Sequence, residues 1–134
     1  MHRFSLVLTV ACVWFSSVQA GPLIYMCDDT GKLWTVDTSN GTATILSSMH
    51  DSSDNPVVMT DIALDPTTNV LYGISSDDRL YTIAPSTGLA SPVGQLGFVT
   101  GGLFRVVDAN ALEFDAAGNL YAAGDDTMQL LPSI

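Results

Sequence analysis

The residues best suited to chemistry are three acidic pairs, Asp28-Asp29, Asp77-Asp78 and Asp125-Asp126. Each falls between two apolar runs that read as strands. Carboxylates in loops are hard oxygen ligands, and calcium takes roughly six to eight such oxygens. Calcium is therefore the metal these six residues would hold. None of the pairs shows the Asp-x-Asp-x-Asp-Gly spacing of a calcium loop, and they lie in separate units of the chain. Hairpin turns that use Asp for local hydrogen bonding are the simpler reading. The oxygen-rich loop Asp51-Ser52-Ser53-Asp54-Asn55 is read the same way. Asp65 and Asp115 stand at equivalent points after an apolar run. They would be metal or acid/base groups, or caps of the turns that follow. Repetition in successive units suits architecture better than one active site.

Trp34, Tyr72, Tyr81 and Tyr121 recur beside leucine. A sugar-stacking surface needs such rings exposed, whereas period-matched aromatics more often pack between neighbouring units. Cys27 and His50 do not make a catalytic pair by spacing. Cys27 takes the place of Ile74 in the next copy and reads as a small buried hydrophobe. His50 lies in the polar stretch SSMHDSSDNP, which predicts a loop without a packed element. There is no Gly-x-Ser-x-Gly, no His-Glu-x-x-His, no glycine loop with a phosphate-binding lysine and no Cys/His metal spacing. Paired carboxylates for glycoside hydrolysis do not stand out. Asn40-Gly41-Thr42 is formally a glycosylation sequon, and a hairpin turn explains it without glycan. No catalytic or cofactor-binding residue is assigned.

The elements that carry these residues repeat. Shifting the chain by 47 positions lays Leu33-Trp34-Thr35-Val36 on Leu80-Tyr81-Thr82-Ile83, Ile24-Tyr25 on Leu71-Tyr72, Lys32 on Arg79 and Gly41 on Gly88. A looser third copy lays Phe114-Asp115 on Leu64-Asp65 and Leu120-Tyr121 on Leu71-Tyr72. Repeats of about 40–50 residues built from several short strands indicate propeller blades. The copies span about 21–49, 57–96 and 103–134. Predicted strands cover 23–27, 33–37, 43–46, 57–65, 70–75, 79–84, 89–93, 111–115, 119–124 and 128–131, with one more at 103–107 inside a glycine-rich connection from 94 to 110. On 57–65, Val58, Thr60, Ile62 and Leu64 form the apolar face, and Met59, Asp61, Ala63 and Asp65 the small or acidic one. The fold class is all-β: about two and a half four-stranded antiparallel blades of a partial β-propeller.

Residues 1–20 read as a signal peptide. His2 and Arg3 precede an apolar run, and Val18-Gln19-Ala20 is a small-x-small cleavage site. Cleavage is favoured over lipidation at Cys12, whose preceding residues fit a lipoprotein site poorly. The mature chain, 21–134, would be secreted or periplasmic, with no membrane span and with Cys27 as its sole cysteine. The formal charge of −10 becomes more negative when Arg3 is removed. Such a surface excludes nucleic acid, because phosphate binding needs clustered Lys and Arg.

The stretch 65–94, D-P-x-T-x-x-L-Y-G followed by L-Y-T-I-x-P-x-T-G-x-A-x-x-V-G, resembles secreted bacterial β-propellers of the YncE-like and NHL-like kind. NALEFDAAGNLYA, 110–122, resembles the strand pair GLAFDPDGNLYA of that family. The resemblance implies blades over nearly all of the mature chain and a binding scaffold, a surface module or an enzyme such as a lactonase. A closed ring needs at least about four blades. The chain is therefore expected to be the opening part of a longer propeller, a non-functional truncated product, or a piece whose copies associate. The expected function is a non-catalytic module for an unidentified protein or carbohydrate partner, prone to self-association through open sheet edges. The alternative is the N-terminal fragment of an enzymatic propeller.

Overall fold

The computed structural model describes residues 23–96 and 104–128. They form nine strands and no helix, so no helix among them is long and apolar enough to cross a membrane. The first sheet has the order β1 (Leu23–Cys27), β2 (Lys32–Asp37), β3 (Ala43–Ser48). The second has β4 (Met59–Leu64), β5 (Leu71–Ser75), β6 (Arg79–Ile83), β7 (Ala90–Gln95). The third pairs β8 (Phe104–Phe114) with β9 (Leu120–Met128). All pairings between strands are antiparallel. The expected leader and residues 97–103 and 129–134 lie outside the described residues.

Turn chemistry sets the hairpins. Six hairpin turns among the described residues each place one residue in the left-handed region: Gly31, Gly41, Asn69, Asp78, Gly88 and Gly118. Glycine and Asn/Asp tolerate that conformation best. Three turns close with an N–H to the carbonyl three residues back, at Gly31, Asp78 and Gly118. The other three, at Gly41, Asn69 and Gly88, reach back four residues. Asn40-Gly41 is thus not a two-residue hairpin loop. Asn40 keeps ordinary φ, and the loop is closed by Gly41 N–H on the Asp37 carbonyl at 2.7 Å.

The ladders of the first two sheets share one register. Ile24 pairs with Val36 and Leu71 with Ile83; Trp34 pairs with Ile45 and Tyr81 with Pro92. Every other pair from Ile24 onward likewise finds its counterpart 47 positions on. Even the register shift at Leu33/Trp34 returns at Leu80/Tyr81. The pairs Phe114–Leu120 and Glu113–Tyr121 of the third sheet stand where Leu64–Leu71 and Ala63–Tyr72 stand in the second.

The three sheets stack face on face. Leu33, with Tyr25 and Cys27 beside it, packs from the first sheet onto Met59, Leu71, Ile83 and Ala90 of the second. The opposite face of the second sheet, carrying Tyr72, Ile74 and Leu80, packs onto Ala109, Leu112 and Leu120 of the third. Strand side chains alternate between faces, so a sheet buried on both sides needs apolar residues at both parities. LYGIS in β5 meets that need.

Three sequence expectations change. In β4 a register shift between Met59 and Asp61 turns Met59 inward, while Val58 and Leu64 are exposed. The polar stretch 47–56 does contain a packed residue. Met49 is 1 % exposed in the first core, and Val57 N–H bonds its carbonyl. Within the described residues, the part of the expected connection from 104 to 110 joins the strand predicted at 111–115 in one strand, β8, with a three-residue irregularity at 108–110. Its partner β9 runs on to Met128, through the turn expected at Asp125-Asp126.

Candidate functional site

Five aspartates sit at the start of turns and hold their own backbone. Asp28 Oδ1 accepts the N–H groups of Thr30 and Lys32 and the Thr30 hydroxyl, and its Oδ2 accepts the Trp34 indole N–H at 2.8 Å. Asp37 accepts the N–H and hydroxyl of Ser39. Asp51 accepts the N–H groups of Ser53 and Asn55 and the Asn55 side-chain amide. Asp65 accepts the Thr67 N–H and the hydroxyls of Thr67 and Thr68. Asp115 accepts the N–H groups of Ala117 and Asn119 and the Asn119 side-chain amide, with the Tyr121 hydroxyl at 3.3 Å. Hydrogen bonds to the ionised form favour it. All five carboxyls therefore lie below the ordinary aspartate value. The foremost causes are the Lys32 N–H for Asp28, the Ser39 hydroxyl for Asp37, the Asn55 amide for Asp51, the Thr68 hydroxyl for Asp65 and the Asn119 amide for Asp115.

The acidic pairs do not occupy one kind of site. Asp28 directly follows β1, at the position Ser75 takes in the next hairpin. Asp77 Oδ1 accepts the Ser75 hydroxyl, and Oδ2 lies 3.8 Å from Arg79. Asp78 is buried at positive φ, and its Oδ1 accepts the Ala109 N–H of β8 at 3.2 Å. Asp125 and Asp126 pair with Val107 and Val106 inside β9. Among the described residues no three His, Cys, Asp or Glu side chains converge as a metal would require.

Cys27 is half-buried, its Sγ 3.7 Å from the Met59 carbonyl. Burial, with a smaller push from Asp61, raises its thiol pKa, which makes it a poorer nucleophile. The His50 ring is 2.9 Å from the Asp51 carbonyl and 3.4 Å from an Asp54 carboxyl oxygen through Nδ1, and 3.3 Å from the Thr87 carbonyl through Nε2. Tyr72 packs on Phe114 across the second interface, ring centroids 5.3 Å apart. Tyr25 and Tyr81 pack against the first core. Two rings depart from this: Trp34 lies on the face of the first sheet that no described sheet covers, and Tyr121 is 60 % exposed. Asn40 uses its side chain inside its turn, accepting the Thr42 N–H at 2.8 Å.

Asp61 and Thr60 were not visible as site residues in the sequence. Asp61 Oδ2 accepts the Leu112 N–H at 2.7 Å, and the Thr60 hydroxyl lies 2.7 Å from the Ala109 carbonyl. With Asp78 they stitch the second sheet to β8. The available signal was that Asp61 has Ala111 as its counterpart in the third sheet, so the acid answers a local need. An open cleft of about 300 Å³ borders this seam, lined by Asp61, Glu113, Tyr121 and the alanines 111, 122 and 123. Both Asp61 oxygens already accept backbone N–H groups, from Ile62 and Leu112. The cleft therefore offers an aromatic ring and one carboxylate more readily than an acid/base pair. No protein-family model, curated protein or solved structure matches the chain.

Proposed function

We propose that the chain is a secreted segment of a β-propeller, of the YncE-like or NHL-like kind, that serves as a non-catalytic binding or surface scaffold. One observation carries this reading: the first two sheets share strand register, bulge position and turn conformation, the third repeats four ladder pairs of the second, and each sheet turns the same face to its successor. Blades built this way pack as a series around an axis. The use of carboxylates as turn caps and backbone ties supports a scaffold role over hydrolysis. The partner is proposed to be a protein or carbohydrate, with Tyr121 at the cleft as the stacking ring.

Two measurements test the reading. In an experimental structure, one rotation should carry the first sheet onto the second and the second onto the third; unlike rotations overturn the propeller. In assays with lactone, ester and glycoside substrates no turnover is expected. Turnover abolished by Glu113→Gln overturns the scaffold role and leaves the fold standing.

A further inference from the structure

The two outer faces of the stack are the two halves of its internal interfaces. On the second sheet, Leu71, Gly73, Ile83 and Ala90 face the first sheet and are buried. Their counterparts on the first sheet are Ile24, Met26, Val36 and Ala43, which share a face with Trp34 and Ile45. No described sheet covers that face. Ile24 is 55 % exposed where Leu71 is 1 % exposed, and Ile45 is exposed as well. At the other end, Tyr121 and Ala123 of the third sheet correspond to Tyr72 and Ile74, which the second sheet buries against the third. Both are exposed.

The surface that covers the Leu71 face inside the molecule is thus the counterpart of the surface left open on the third sheet. Charge agrees with this pairing: Lys32, the chain's one lysine, shares the open face of the first sheet by strand parity, and Glu113 shares that of the third. We propose that a second copy of this chain covers the open face, its third sheet stacking on the first sheet of its neighbour. Such an interface is head-to-tail. It closes into a ring or continues as an open stack according to the rotation per copy. Faces, not sheet edges, do the joining. The inference rests on the sheet faces and does not require the scaffold reading.

The test uses purified protein whose N-terminus has been read by mass spectrometry. Sedimentation velocity from micromolar to millimolar concentration should show mass rising above the monomer. Ile45→Glu blocks the first face and Tyr121→Glu the last; each variant alone should remain monomeric. Mixed in equal amounts, they should form a dimer with one of each, because each keeps the face the other has lost. Ser52→Glu adds the same charge off both faces and should still assemble. Met26→Glu and Ala123→Arg replace any variant whose circular dichroism departs from that of the parent. A parent that stays monomeric overturns the proposal, as does a blocked variant that still self-associates or a mixture that remains monomeric.

Discussion

Asp28, Asp37, Asp51, Asp65 and Asp115 spend their carboxylates on the backbone that follows them, and this makes the fold acid-sensitive. Their folded pKa values lie below the ordinary 3.8. The unfolded chain therefore takes up protons first as pH falls. Their stabilisation is complete at neutral pH, begins to fade as pH drops through about 4, and is lost progressively below it. Urea midpoints should stay level from pH 8 to about 5 and fall below about 4. Asp28→Ala should flatten the acid limb, because it removes a carboxyl held low by folding, and should lower the midpoint at pH 7, because it also orphans the Trp34 indole N–H. Asp29→Ala, on an exposed residue next door, is the control. Equal effects of the two substitutions would show that the cap is not what matters. Calcium bears on the same residues. A ligand at a hundred times its Kd adds about 2.7 kcal/mol to stability, so millimolar calcium should leave the melting temperature unmoved if these carboxylates are caps.

At the scale of elements, Gly41 and Gly88 occupy matching turns with φ of 75° and 84°, yet their surroundings differ. A Cβ on Gly41 would meet nothing within 4 Å, while one on Gly88 would collide with the Ser48 carbonyl oxygen. Gly41→Ala should cost only the left-handed strain, about 1–2 kcal/mol. Gly88→Ala should cost clearly more, because it also drives β3 and the following link from the β6–β7 turn. Met49→Ala should cost about 2–5 kcal/mol, as expected for a buried large side chain. Denaturant titrations of the three variants check the order, and a Gly41→Ala loss equal to that of Gly88→Ala would refute it. The same contrast marks what the sequence could disclose. Hairpins β1–β2, β2–β3, β5–β6 and β6–β7 were legible, because Gly, Asn, Asp and Pro write local turn geometry beside alternating apolar runs. Met49 was not, since its neighbours SSMHDSSDNP are polar and its burial depends on Gly31 and Gly88 arriving from elsewhere. The continuity of β8 and β9 was missed for a related reason. Asp125-Asp126 has turn composition, but pairing with Val106 and Val107 overrides it. Of the candidate site, the caps at Asp65 and Asp115 were readable from repetition and those at Asp28 and Asp51 from turn composition; Asp37 read only as a strand end, and the Asp61, Thr60 and Asp78 ties depend on the placement of β8.

Across the whole molecule, burial is uneven by construction. The second sheet has neighbours on both faces, while among the described sheets the first and third have one each. In stacked architectures of this kind, stability is a sum of unit and nearest-neighbour contributions. The middle sheet draws on two interfaces, so its amides open only when the whole stack does. Hydrogen exchange should be slowest at Leu71 and Ile74 in β5 and faster in β1, β3 and β9. Substitution separates the two interfaces. Leu33→Ala should cost about 2–5 kcal/mol and quicken exchange chiefly in the first sheet, since Leu33 belongs to the first core and not to the second. Ile74→Ala, in the second core, should cost a similar amount and quicken the third sheet instead. If each substitution loosens all three sheets equally, the stack unfolds as one block and the nearest-neighbour account fails. If copies also join through their outer faces, raising the concentration should slow exchange in β1 and β9 while leaving β5 unchanged. In a monomeric stack the rate of each strand would not change with concentration.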